Sequence, residues 1–107
     1  MFDEKTEMKI NEAVSLELVR ACKVYGADYH SLHEGYAVLL DEVEEAENEL
    51  TYIKNHLAMM WDSVKVDDSA EVKSNARIVA LDAVNLAKEA AQIAAVAKKI
   101  IGSFDNA

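Results

Sequence analysis

No proline interrupts this 107-residue chain, and only three glycines, Gly26, Gly35 and Gly102, punctuate it. So few breakers exclude an architecture of many short strands joined by tight turns, and they leave room for a few long helices. A single cysteine, Cys22, excludes an internal disulfide and fits a reducing compartment. It sits in a helical apolar pattern and is expected in the core. Basic residues are scarce: 11 Lys and Arg stand against 20 Asp and Glu, for a formal net charge of −9. That balance argues against nucleic acid and anionic membranes as partners. A phosphate-bearing small molecule stays open if metal ions bridge the two sets of negative charge. The first residues are acidic and polar, unlike a signal peptide, and no apolar run is long and charge-free enough to span a bilayer. The expected location is cytoplasmic. A glycine-rich phosphate loop is also missing, which excludes P-loop chemistry.

What is present is helix-forming. Ala, Glu, Leu, Lys and Val dominate, and 51% of the chain is apolar. The expected fold class is all-α: one domain over residues 1–107, a three-helix protomer whose two long helices run antiparallel. Such a thin object has much surface for its volume, which favours burial by assembly into an oligomeric helical bundle. The first helix is expected from Thr6 to Tyr25, with Ile10, Val14, Leu18, Ala21 and Tyr25 as its apolar stripe and Glu17 and Arg20 largely outside it. Residues Met1 to Lys5 are expected to fray. Nothing in this helix asks for chemistry. Gly26 caps it. Ser31-Leu32-His33-Glu34 reads as a capping box opening a second helix that runs to about Val64. Gly35 inside that helix lowers its stability relative to alanine, so close approach by another helix is its expected reason. Asp68-Ser69-Ala70-Glu71 offers a second box, opening a third helix that runs to Ile101, ends at Gly102 and leaves a short loose tail.

Chemistry concentrates on the second and third helices. Leu32, Tyr36, Leu39, Val43, Ala46, Leu50, Ile53, Leu57, Met60 and Val64 alternate steps of four and three, a seam that faces a partner helix. Glu42 and Glu45 lie three apart on one face, beside that seam. Carboxylates at the edge of a buried seam need compensation, and Mg²⁺, a hard cation with oxygen ligands, can supply it. The competing reading is a solvated acidic face. From Ile78 onward the third helix is apolar nearly all round, hence expected to be surrounded by protein. Asp82, Asn85, Glu89 and Gln92 nonetheless form one polar stripe, while Lys88, Lys98 and Lys99 define the wet face. A metal-linked site and a structural hydrogen-bond network both account for the stripe. If the helices are antiparallel, Glu42, Glu45, Glu89, Gln92 and Asp82 form an acidic, oxygen-rich pocket. His30 and His33 at the start of the second helix are capping residues or contacts to a phosphate or base. Trp61 stacks on a base or, by its spacing, fills a core or interface. His56 is expected on the surface.

Two stretches carry a resemblance. The run His33-Glu34-Gly35-Tyr36-Ala37-Val38-Leu39-Leu40-Asp41-Glu42-Val43-Glu44-Glu45, with the later Lys88-Glu89-Ala90-Ala91-Gln92-Ile93-Ala94-Ala95-Val96-Ala97, resembles the MazG-like all-α nucleoside triphosphate pyrophosphohydrolases, in particular their short phage and prophage forms. The resemblance implies a homodimer or dimer-of-dimers tetramer that hydrolyses an NTP or dNTP to the monophosphate and pyrophosphate with Mg²⁺, or Mn²⁺ in its place. It implies metal ligands at Glu42, Glu45 and Glu89, with Glu42 or Glu45 as the base. Gln92 stands where the broader family has aspartate; its amide oxygen can ligate but brings no charge. Asp82 is a possible compensating ligand on the same face. His33, Lys88 and Trp61 are the substrate-contact candidates. The alternative is a catalytically weak or inactive nucleotide-binding or protein-interaction module on the same scaffold. A di-iron bundle is disfavoured, because the chain has no Glu-x-x-His pairs.

Overall fold

The computed structural model describes residues 2–105, and of Tyr25 the backbone alone. The Tyr25 side chain, Met1, Asn106 and Ala107 lie outside the described residues. Three helices account for nearly all of the rest: α1 (Glu4–Tyr25), α2 (Leu32–Lys65) and α3 (Ser69–Ser103). No strand occurs among the described residues. The all-α expectation holds. None of these helices is long and apolar enough to cross a membrane.

The ends follow local chemistry. Asp3 caps α1 by accepting from the Thr6 amide at 2.8 Å, so Glu4 and Lys5 are helical where fraying was expected. Gly26 closes α1 at φ +89°, a conformation that side-chain-bearing residues rarely adopt. Ser31 Oγ accepts from Glu34 N at 3.1 Å as the capping box requires, but Glu34 Oε1 reaches one residue further back, to the His30 amide at 3.2 Å. At the other box Asp68 Oδ1 accepts from Glu71 N at 3.2 Å. Gly102 does not end α3. It lies within the helix, which closes at Ser103.

The chain divides into two compact units that cut across both long helices: Met1–Val43 with Glu89–Ala107, and Glu44–Lys88. In the first, α1 packs with the beginning of α2 and the end of α3, and Val14, Ala95 and Val96 are its buried apolar side chains. The α2 and α3 segments of this unit run antiparallel, since Gly35 meets Ile100 while Glu42, further along α2, meets Gln92, further back on α3. A Cβ on Gly35 would stand 3.0 Å from Ile100 Cγ1 and 3.5 Å from Tyr29 Cδ2. Close helix approach is therefore the reason for this glycine. Beside it, Ser103 Oγ accepts from the Tyr29 amide at 3.0 Å and donates to Lys99 O at 2.8 Å. The Lys99 ammonium lies 4.3 Å from the Tyr29 ring centre. Lys99, placed on the wet face by its sequence position, is only 4% exposed. Its long stem and the Tyr29 ring face explain how a cation is accommodated there.

The second unit is a helical hairpin. It turns through Val66–Asp68, where Asp67 takes a positive φ of 56°, a conformation that Asp tolerates better than most residues. The titratable side chains turned inward in this unit are Glu49, His56 and Asp82. His56, expected on the surface, is half-buried. Its Nδ1 is 2.9 Å from Tyr52 O and 3.9 Å from Asp82 Oδ2.

The inward face of α2 differs from the expected seam. Leu39, Val43, Ala46, Ile53 and Met60 are turned in as predicted, but Leu32, Tyr36, Leu50, Leu57 and Val64 are exposed. In their stead, Gly35, Glu42, Glu49, His56 and Ser63 point inward, one every seven residues. Steps of four and three fit two adjacent stripes of a helix, and hydropathy alone selects the greasier one. On α3 the expectation of protein on every side fails within the chain: Leu81 and Val84 are 68% and 56% exposed, and Ala80, Ala83, Ala87 and Ala90 are exposed too. Two neighbouring segments cover only part of a helix's circumference, whatever its composition.

Candidate carboxylate site

Five side chains of the first unit converge, and three helices contribute. From α1 come Glu17 and Arg20, one turn apart. Arg20 grips the Glu17 carboxylate with two nitrogens, Nε to Oε2 at 3.1 Å and Nη2 to Oε1. This two-pronged bond is the strong form of ion pair. It is the leading reason the Glu17 carboxyl is held below its ordinary value, and partial burial opposes the shift. From α2 comes Glu42, half-buried on the inward stripe. From α3 come Glu89 and Gln92, also half-buried and three apart on one face. Glu42 and Glu89 each offer a carboxylate oxygen within 4.8 Å of the other's. Oriented to satisfy its neighbours, the Gln92 amide donates from Nε2 to Glu89 Oε2 and to Glu42 Oε2, each at 3.0 Å.

Glu17, Glu42 and Glu89 bring three carboxylates to this cluster, and Arg20 brings a guanidinium. The donors are all oxygen, the set preferred by Mg²⁺, Mn²⁺ and Ca²⁺ over softer metals. Opposite oxygens of an octahedral Mg²⁺ lie about 4.2 Å apart, so the 4.8 Å limit on the Glu42–Glu89 pair needs only side-chain adjustment. The residues fit such an ion.

The remaining candidates divide between the two units. Glu45 follows Glu42 by one turn on α2 and opens the second unit; its side chain is exposed. Asp82 stands against His56 inside the second unit, and its Oδ2 is buried without a hydrogen-bond partner. Asn85, placed in the polar stripe, is exposed. His33 is exposed in the first unit and Lys88 in the second. Trp61 is 60% exposed, so it fills no core of this chain; the Lys65 ammonium lies 5.8 Å from its ring centre. Sequence reasoning missed α1 as a contributor. Its signal was the Glu17–Arg20 pair at i, i+3, where Glu17 falls next to Leu18 on the stripe's edge. No family model matches the sequence, and no curated protein or solved structure matches it either.

Proposed function

We propose that this chain is a divalent-metal-dependent nucleoside triphosphate pyrophosphohydrolase of the MazG-like kind, releasing a nucleoside monophosphate and pyrophosphate from an NTP or dNTP. The observation that carries the reading is the approach of Glu42 and Glu89 within 4.8 Å, from different helices, on the half-buried face of one unit. Oxygen donors brought together from two helices are the set that a hard divalent cation prefers. Glu42, Glu89 and, from the next turn of α2, Glu45 are the proposed ligands of Mg²⁺ or Mn²⁺, with the Gln92 oxygen as a neutral fourth. When bound, the ion offsets phosphate charge and makes a coordinated water more acidic. The chain's own share is to fix that ion between helices and, through Glu42 or Glu45, to orient the attacking water and accept its proton. The Arg20–Glu17 pair keeps one carboxylate of the cluster occupied. Asp82, engaged with His56, is not part of the proposed ligand set.

A homo-oligomer is part of the proposal. Large apolar side chains stand exposed on all three helices: Leu16 and Val19 on α1, Tyr36 and Leu57 on α2, and Leu81 and Val84 on α3. Apolar surface of this kind favours burial by self-association. A cytoplasmic setting belongs to the same reading, as does the absence of nucleic acid and membranes among the partners, on the ground of the acidic net charge. The second reading, a nucleotide-binding or interaction module without turnover, draws on Gln92, whose amide already joins the two carboxylates.

The test is pyrophosphate release from a panel of NTPs and dNTPs with Mg²⁺ or Mn²⁺, comparing the wild type with Glu42→Gln and Glu89→Gln. Metal-dependent release by an oligomer, reduced by at least about 100-fold in both variants, is the expected result. No release from any triphosphate, with no thermal stabilisation by either metal, would hand the chain to the second reading.

A further inference from the structure

The helical hairpin of the second unit has two sides, and they differ. A residue that follows an inward one lies about 100° further round its helix. Because both helices are right-handed and run antiparallel, that step turns toward the same side of the hairpin on each. On α2 it gives Leu50, Leu57, Trp61 and Val64, which follow Glu49, His56, Met60 and Ser63 and are between 42% and 60% exposed. On α3 it gives Ala76, Ala80, Ala83 and Ala87, all exposed, which follow Asn75, Val79, Asp82 and Leu86. One side of the hairpin is thus a ridge of large apolar side chains beside a trough of alanines. The other side breaks up its apolar residues with Asn48, Asn55, Asp62 and Asn85.

A surface that is half ridge and half trough fits a copy of itself. A half-turn about the line between the stripes, parallel to the helices, carries each ridge onto the other's trough and keeps every residue at its own height. His56 meets Asp82 across the hairpin, so Leu57 stands level with Ala80, and Leu50 stands level with Ala87 one heptad along. The half-turn therefore sets Leu57 over Ala80 of the second copy and Leu50 over its Ala87, a large side chain opposite a small one each time, as interdigitated packing needs. Charge agrees with size. This side carries Glu47 and Lys54 along the ridge and Lys73 at the end of the trough. The half-turn leaves Glu47 and Lys54 over alanines and brings Lys73 toward Trp61 of the copy, whose ring face attracts a cation. The alternative half-turn, at right angles to the helices, stacks ridge on ridge and sets Lys54 beside Lys54. We infer that this side of the hairpin is the interface between two copies of the chain, in which α2 of each copy packs on α3 of the other as an antiparallel four-helix bundle. The inference rests on the self-association in the proposed function and on none of its chemistry.

The experiment is sedimentation equilibrium of the full-length chain, with circular dichroism to follow folding, and oxidative cross-linking in a Cys22→Ser background. The wild type should be a dimer at micromolar concentration, and Leu57→Asp a folded monomer. Ala80→Leu adds apolar surface yet fills the trough, so it should dimerise at least about tenfold more weakly. Leu57→Cys mixed with Ala80→Cys should form a disulfide between copies, and neither variant should link with itself. Wild-type dimerisation of Leu57→Asp, or tighter dimerisation of Ala80→Leu, overturns the inference and leaves self-association through another surface standing. Self-linkage of Leu57→Cys overturns the arrangement in favour of ridge on ridge. Ala80→Leu and the cross-link keep the test decisive should Leu57→Asp fail to fold. A monomeric wild type overturns the inference and the self-association together and leaves this face to a different protein. Metal-dependent pyrophosphate release is read separately and stands on its own.

Discussion

Replacing Gly35 by alanine should destabilise this protein, and the same replacement should stabilise it once Ile100 is gone. In the interior of α2, alanine is favoured over glycine by about 1 kcal/mol. Against that gain stands the contact with α3: the added Cβ would lie 3.0 Å from Ile100 Cγ1, well inside the 3.5–4.0 Å optimum for carbon pairs. Ile100 cannot swing its Cγ1 away freely, because a β-branched residue in a helix holds one χ1 rotamer. The helices must separate or the side chain must leave its well, at about 1–3 kcal/mol. The net effect of Gly35→Ala is then a loss of about 1 kcal/mol. In an Ile100→Ala background the obstructing atom is absent, Tyr29 Cδ2 at 3.5 Å is an ordinary contact, and the propensity gain of about 1 kcal/mol should emerge. Urea unfolding of the four proteins measures the cycle, with an expected coupling of about 2 kcal/mol. If Gly35→Ala stabilises the wild type by the full propensity difference, the steric account of this glycine is wrong.

Other perturbations read other parts of the fold. Ser103→Ala removes the acceptor of the Tyr29 amide and should lower stability by about 1–2 kcal/mol in urea unfolding, with Lys99 becoming more reactive toward acylating reagents as its Tyr29 platform loosens. Glu17 gives a pH dependence. Its folded carboxyl is depressed by Arg20, so its stabilisation is present above the unfolded value, near 4.5, and is lost as pH falls through the folded one. Arg20→Met should therefore flatten stability against pH between roughly 5 and 3 relative to wild type, and parallel curves would contradict the ion-pair reading. Asp82→Leu removes a carboxylate oxygen that is buried without a hydrogen-bond partner; thermal melting should shift up by a few degrees, about 1 kcal/mol, with metal affinity unchanged. A fall in metal affinity would return Asp82 to the ligand set.

The helices and their caps were legible because they depend on neighbours in sequence. Asp68, Ser31 and Gly26 act within four residues of themselves, and the structure moves only the details, such as Glu34 reaching His30. Gly35 was legible because glycine inside a long helix has few other uses. The inward stripe of α2 was not. Choosing between Tyr36, Leu50 and Leu57 on one stripe and Glu42, Glu49 and His56 on the next depends on what lies opposite, which no periodicity contains. The same limit hid Glu17 and Arg20, whose role comes from Gln92 seventy-odd positions later, and placed Lys99 on the wrong face.

The polar inward positions recur every seven residues on α2: Glu42, Glu49, His56 and Ser63. Alanine and leucine around them would allow one helix to slide along another by two turns with little loss of apolar contact. A slide of that length would carry Glu42 away from Gln92 and His56 away from Asp82. The column of polar side chains thus acts as an alignment code for a surface otherwise repetitive enough to misread. Its cost in burial is the means by which α2 keeps its register against the alanine-rich α3 within each unit.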